Sequence, residues 1–143
     1  MNDIAVPPGF LVVDEAGSFI GHVGGLHWRI ADGRADTALI AEARHGNPNG
    51  TVHGGVLMTM LDITLGGTAK AALGLTGSAH PTTIQLSTSF TGAARIGDLV
   101  LGEARIDTQT RGFSFASGRL HVGGRTVATA TAIFRNPPQA PRP

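Results

Sequence analysis

The longest hydrophobic pattern in the chain has the period of a helix. Over residues 54–73 apolar side chains recur every three or four positions and surround most of the segment, which predicts one long helix buried on most sides. At a rise of about 1.5 Å per residue, such a helix is about 30 Å long. In "NPNGTVHGGVLMTMLDITLGG", residues 47–67, the one charged side chain is Asp62. A carboxylate therefore stands inside an otherwise apolar helix.

Strand-like segments lie on both sides of this helix, because their polar and apolar residues alternate. Those before the helix form a predicted hairpin, and those after it form a predicted four-stranded antiparallel meander with short turns. The predicted strands are 26–30, 35–43, 82–90, 98–108, 112–122 and 126–135, and a short helical turn is predicted at 19–23. In the strand at 82–90, alternation places Ile84 and Leu86 on one face and Thr83 and Gln85 on the other.

This order of elements predicts an α+β fold in which one antiparallel sheet wraps around one long central helix. The chain of 143 residues suits a single domain over 1–143, with flexible segments expected at 1–8 and 136–143. One face of the sheet, or one side of the helix, would remain uncovered in a monomer. We therefore expect at least a homodimer.

Composition narrows the class of protein. The net charge is +1 and the basic residues are scattered, so neither nucleic acid nor a membrane surface is an expected partner. The chain has no Cys, which excludes disulfides, thiol nucleophiles and Cys-based zinc sites. It shows no signal-peptide pattern and no apolar run long enough to span a membrane, so the prediction is a soluble, cytoplasmic protein. Serine-hydrolase, nucleotide-phosphate and His-metal motifs are absent, and neither a metal nor a cofactor is predicted.

Two features of the opening motif carry candidate chemistry. Gly54 and Gly55 stand where the helix begins, so unpaired backbone N–H groups and the helix dipole could stabilise an anion or a carbonyl oxygen becoming one. The alternative is that these glycines only relieve a tight turn. Asp62 could act as a nucleophile or general base in a cleft. Its alternative role is as a structural partner of an arginine or a backbone group.

The spacing of these two features has a geometric consequence. Gly54 and Asp62 are eight residues apart, or about 12 Å along a helix. A carboxylate that attacks a carbonyl, directly or through water, must lie within about 3–4 Å of it. One helix cannot bring both groups to one substrate, whereas two antiparallel helices side by side can. If both groups are catalytic, the active site lies between two subunits.

The stretch "HGNPNGTVHGGVLMTMLD" resembles the signature of hotdog-fold acyl-CoA thioesterases of the phenylacetate-pathway (PaaI) type. "GF" near the start and "FTGAARIGD" extend the likeness over most of the chain. The resemblance implies a hotdog fold, a homodimer that is commonly a dimer of dimers, and an acyl-CoA substrate. It implies that Gly54 N–H and the Asn47 side chain polarise the thioester carbonyl. Asp62 of the partner subunit then activates water or attacks directly, and Thr83 helps to orient that water.

The resemblance also suggests substrate-binding residues. His53 corresponds to a structural loop residue, and Gly55 permits close approach of a ligand. Arg95 and Arg111 lie in predicted loops that the phosphates of coenzyme A could meet, although a solvated surface role fits them as well. Met58, together with Ile63 and Phe90, is a candidate for the acyl pocket. The chain could instead be a non-catalytic acyl-CoA binder, or an enoyl-thioester hydratase of the same fold, although its D-x-N-P-x-H arrangement is not present.

Overall fold

A computed structural model of the protein describes residues 3–13 and 16–138. The described residues form seven strands, two α-helices and one 3-10 turn. In chain order these are β1 (Leu11–Val12), α1 (Phe19–Val23), β2 (Leu26–Ala31), β3 (Arg34–Ile40), the 3-10 turn Ala43–His45, α2 (Gly54–Ala72), β4 (Thr82–Phe90), β5 (Leu99–Gln109), β6 (Phe113–Val122) and β7 (Arg125–Arg135).

The strands form one antiparallel sheet in the order β1-β2-β3-β5-β6-β7-β4. Helix α2 contacts β2 to β7, so the sheet wraps around it. This confirms the predicted architecture and the predicted long helix, which ends one residue earlier than its apolar pattern. The hairpin of β2 and β3 and the helical turn at Phe19–Val23 are confirmed as well.

The predicted four-stranded meander is wrong for its first strand. β4 pairs with β7 and not with β5, whereas β5 pairs with β3 over Thr37–Gly102 to Ile40–Leu99. The segment between β4 and β5 crosses to β3 and contacts the loop before α2, where the Val52 N–H donates to the Ala94 carbonyl over 2.8 Å. This crossing pairs the second edge of β3, whose backbone groups would otherwise have no partner. The two sets of strands therefore become one sheet.

Helix α2 is held against the sheet by apolar packing and by buried hydroxyl groups. Its buried side includes Leu61 and Leu65, which are fully buried. The Thr64 hydroxyl lies 2.6 Å from that of Thr37 on β3, and the Thr68 hydroxyl accepts a hydrogen bond from the Ala35 N–H over 3.0 Å. These bonds fix the height and rotation of the helix relative to β3, because each needs one particular register.

The chain remains anchored just beyond β7. Asn136, the first residue of the predicted flexible C-terminal segment, is 5% exposed. Its Oδ1 accepts a 2.7 Å hydrogen bond from Ser114 Oγ, and its Nδ2 donates to the Thr110 carbonyl over 2.9 Å. These bonds connect the end of β7 to the β5–β6 turn. Residues 1–2 and 139–143 of the segments predicted to be flexible lie outside the described residues.

Replacing Asn136 by alanine should lower the free energy of unfolding by about 1–3 kcal/mol, because the buried Ser114 hydroxyl loses its acceptor. Urea denaturation at a fixed protomer concentration measures this loss. Gln85→Ala is the matched control, since that amide is exposed and forms no hydrogen bond with a described residue. Equal stability of the two variants would contradict an anchoring role for Asn136.

Candidate active site

The carboxylate of Asp62 lies at the edge between the buried and uncovered sides of α2. Leu61 and Thr64 beside it are fully buried, whereas Asp62 is partly exposed. Its Oδ1 accepts a hydrogen bond from Thr83 Oγ1 over 2.7 Å. No described Lys, Arg or His side chain forms an ion pair with it. The arginine partner that a purely structural role would require is therefore not found among the described residues.

Thr83 reaches Asp62 because of a β-bulge in β4. Thr83 is opposite Phe134 of β7 and Gln85 is opposite Ile133, so Ile84 is an extra residue with no partner of its own. The predicted strict alternation is wrong here, because the bulge places Thr83 on the helix-facing side together with Leu86. Ile84 is correspondingly 57% exposed. Bulges commonly redirect a side chain next to a functional site.

At the start of α2, one backbone donor remains available. His53 is the N-cap, and its Nδ1 accepts the Gly55 N–H over 2.9 Å. Its carbonyl accepts the N–H groups of Val56 and Leu57. The Gly54 N–H forms no hydrogen bond with a described residue, and a β-carbon at this position would lie 3.3 Å from Phe90 Cζ. The arrangement gives His53 a capping role and leaves Gly54 N–H free for a ligand.

The Asn47 side chain organises the loop that leads into this helix. Its Oδ1 accepts the N–H groups of Asn49, over 2.9 Å, and Thr51, over 3.3 Å. Its Nδ2 donates to Thr51 Oγ1 over 2.9 Å, which leaves the second hydrogen of this amide without a partner among the described residues. Asn47 therefore shapes the loop and still has one donor for a ligand.

His45, a buried histidine that the sequence did not single out, anchors the segment that precedes this loop. His45 is 1% exposed, and its Nδ1 accepts the Glu42 N–H over 3.0 Å. Its Nε2 therefore carries the proton and donates to the carbonyls of Val23, over 2.9 Å, and Gly24, over 3.0 Å. His45 thus connects the end of α1 to the segment before Asn47.

The two predicted parts of the site are not together within one chain. Gly54 and Asp62 lie on the same helix of 19 residues, eight residues apart. The two candidate phosphate-binding arginines are also separate: Arg95 precedes β5 and pairs with Thr51, whereas Arg111 follows β5. Both side chains are exposed, but the length of the strand lies between them. One chain therefore cannot bring both arginines to one phosphate.

A cavity of about 160 Å³ lies beside the Asp62–Thr83 pair. Its apolar walls come from Val13, Ile20, Trp28, Ile63 and Phe134, and its other polar side chain is His80. Of the three candidates for the acyl pocket, Ile63 lines this cavity, whereas Met58 and Phe90 do not. Met58 is 37% exposed on the uncovered side of α2. Trp28 and Phe134 are far from Asp62 in sequence, and no local pattern indicates that they meet there.

Two structural features are absent from the described residues. In the described ranges, no group of three or more His, Asp or Glu side chains is close enough to hold a metal ion. No helix in the same ranges has both the length and the hydrophobicity of a membrane span.

Comparison with known proteins identifies the family of this chain. The sequence model of the Thioesterase superfamily matches residues 49–134. The Pseudomonas aeruginosa protein named "Putative esterase PA0474" is 34% identical over 133 residues, 92% of this chain and 98% of that protein. The structure of a phenylacetic acid degradation-related protein of Ralstonia eutropha is 31% identical, with a TM-score of 0.73 over 85% of this chain and 92% of that one.

The PaaI protein of Thermus thermophilus, in a mutant form, shares the fold at 21% identity. Its TM-score is 0.73, and the match covers 83% of this chain and 98% of that one. The family match extends over more than half of the sequence and includes Gly54, Asp62 and Thr83. Its members' names support a hydrolase. The chain therefore belongs to the thioesterase superfamily and has the hotdog fold.

Proposed function

We propose that the protein is an acyl-CoA thioesterase, which hydrolyses an acyl thioester to a free acid and coenzyme A. The observation that carries this proposal is the Asp62–Thr83 pair in the lining of a cavity that also has several apolar side chains. A carboxylate without a cationic partner, next to a space for an apolar group, suits a base or nucleophile that meets an acyl carbonyl.

In this reaction Asp62 activates the water that attacks the carbonyl carbon of the thioester. The Thr83 hydroxyl occupies Oδ1, which leaves Oδ2 to accept a proton from water. The oxygen of that water bonds to the carbonyl carbon, and the carbon–sulfur bond then breaks. The coenzyme A thiolate leaves and takes up a proton. In the alternative route, an Asp62 oxygen bonds to the carbonyl carbon and the carbon–sulfur bond breaks, so that the coenzyme A thiolate leaves and takes up a proton. Water then hydrolyses the resulting anhydride to the free acid and restores Asp62.

The carbonyl oxygen needs donors where its negative charge develops. Gly54 N–H and the remaining Asn47 Nδ2 hydrogen are the donors that we assign to this task. They belong to the partner subunit, because Gly54 and Asp62 of one chain are about 12 Å apart along α2. The uncovered side of the helix, with Gly55, Met58 and Asp62, is the surface on which a second, antiparallel copy of α2 would pack. A dimer of dimers would cover the outer face of the sheet.

Release of coenzyme A tests the activity. The protein is incubated with short, medium, long and aromatic acyl-CoAs, and a thiol reagent detects the free thiol. We expect release above background for at least one of these chain types. Binding of acyl-CoA without release would favour the non-catalytic binder, and hydration of an enoyl-CoA would favour the hydratase.

Mixing two inactive variants tests the shared site. Asp62→Asn lacks the base, and Gly54→Pro lacks the donor, because proline fits the first helical position but has no N–H. The extended backbone of His53, with φ −61° and ψ 136°, suits a following proline. After exchange at equal amounts, half of the dimers are mixed and each has one intact site, so about a quarter of the wild-type rate should return. No recovery despite demonstrated subunit exchange would place each site within one chain.

A further inference from the structure

His80 is a polar group of the cavity that the proposed chemistry does not use. Lys70 Nζ lies 3.0 Å from His80 Nε2 and donates to the Gly77 carbonyl over 2.7 Å. An ammonium group has donors only, so Nε2 must accept and the proton of the neutral ring is on Nδ1. This Nδ1–H forms no hydrogen bond with a described residue. The pair with Lys70 therefore fixes the tautomer of this cavity-lining residue and leaves its Nδ1–H as a donor.

The ammonium group of Lys70 carries a positive charge that no carboxylate of the described residues neutralises. Among the ion pairs of the described residues none includes Lys70. Its ammonium group is held in place by a carbonyl oxygen and a ring nitrogen, neither of which neutralises it. A carboxylate that accepted the His80 Nδ1–H would lie on the other side of the imidazole ring from this charge, about 7–8 Å away for ordinary hydrogen-bond lengths. The attraction between the two charges would then act at medium range, without a direct contact.

The cavity is lined both by His80 and by the catalytic pair of Asp62 and Thr83. One wall follows α2 from Asp62 to Gly67, five residues or about 7.5 Å along the helix, and Lys70 is nearly one turn further. Most of the cavity's other side chains are apolar and include Trp28, Ile63 and Phe134. The volume of about 160 Å³ is close to that of an engineered cavity of about 150 Å³ that holds one benzene ring. A short acyl chain fits this space.

We propose that the substrate is a short ω-carboxyacyl thioester, the monothioester of a dicarboxylic acid with about five or six carbons. This inference rests on the proposed thioesterase function. The thioester carbonyl lies at Asp62, the methylene groups contact the apolar walls, and the terminal carboxylate accepts the His80 Nδ1–H. Lys70 holds the ring in the tautomer that offers this donor. His80 is exposed, so the carboxylate keeps part of its hydration and the cost of burying its charge is small.

Paired substrates of equal carbon number test this proposal. We expect kcat/KM of the wild type to be at least about tenfold higher for glutaryl-CoA than for pentanoyl-CoA, and likewise for adipoyl-CoA over hexanoyl-CoA, as for a hydrogen bond to a charged group. His80→Leu should remove most of this preference and Lys70→Met part of it, measured in each variant as the ratio of kcat/KM for glutaryl-CoA to that for pentanoyl-CoA. His22→Leu is the matched control, an exposed histidine of α1 that does not line the cavity.

The outcomes separate this inference from the function on which it rests. Hydrolysis of pentanoyl-CoA equal to or faster than that of glutaryl-CoA would overturn the ω-carboxyacyl specificity and leave the thioesterase intact. An equal fall with both substrates in His80→Leu would assign His80 a structural role and overturn the inference too. Release of coenzyme A from no acyl-CoA at all would overturn the proposed function itself.

Discussion

Asp62→Asn should lower kcat/KM for a thioester by about 10²–10⁴-fold, the range expected when a general base is lost. The asparagine side chain has the same shape, and its carbonyl oxygen can still accept the hydrogen bond from Thr83 Oγ1. It cannot take a proton from water or form an anhydride. We therefore expect the free energy of unfolding to change by less than about 1 kcal/mol. Steady-state kinetics and urea denaturation of the same preparations measure the two effects.

Asp107→Asn is the control for this substitution. Asp107 pairs with Arg105 and accepts a hydrogen bond from Ser117, away from the cavity. Its activity should remain within about twofold of the wild type, as for a surface ion pair of small energetic effect. Full activity of Asp62→Asn would show that the mechanism proposed above is wrong. A large loss of stability in that variant would instead make Asp62 a structural residue.

Gly118→Ala should lower the free energy of unfolding by about 3 kcal/mol, at the upper end of the usual cost of overpacking. A β-carbon at Gly118 would lie 2.6 Å from the Glu103 carbonyl oxygen and 2.9 Å from Leu65 Cδ1. The first of these atoms belongs to the backbone of β5, and the second is in the buried core of α2. The carbonyl oxygen cannot move without opening the β5–β6 pairing, and the fully buried Leu65 side chain can move only by displacing its neighbours in the core.

Gly112→Ala separates this steric effect from the general effect of replacing a glycine. Gly112 lies in the β5–β6 turn, where a β-carbon would meet nothing within 4 Å. Its stability should stay within about 0.5 kcal/mol of the wild type. Urea midpoints at one protomer concentration compare the two variants. A Gly118→Ala protein as stable as Gly112→Ala would contradict the close packing of helix and sheet.

The parts of the fold that depend on local pattern could be predicted from the sequence. The run of apolar residues defines α2, and a single charge within it draws attention to Asp62. Alternation and turn residues likewise define most strands. The partner of β4 could not be predicted in this way, because short turns favour neighbouring strands whereas β4 pairs with β7 at the far end of the sheet.

The candidate site shows the same division. The resemblance to thioesterases assigned Thr83 to the site, yet strict alternation put it on the other face of the strand from Leu86. The bulge at Ile84 resolves this conflict, because it brings both side chains to the same face. A bulge arises from pairing with a strand about fifty residues later, so it leaves no local signal. Trp28 and His80 meet at the cavity for a similar reason, since only the folded sheet and helix bring them together.

The hydrogen bonds of His53 determine which backbone N–H groups at the start of α2 are free to bind a ligand. The Gly55 N–H is already occupied by the His53 ring, and the Val56 and Leu57 N–H groups by its carbonyl. Of the first helical donors, this leaves Gly54 N–H alone for an incoming oxygen. A substitution of His53 that removed the ring acceptor would release a second donor next to the first. The cap therefore determines how many hydrogen bonds the start of the helix can donate to a ligand. Two adjacent free N–H groups, in place of one, would bind an oxygen in a different position.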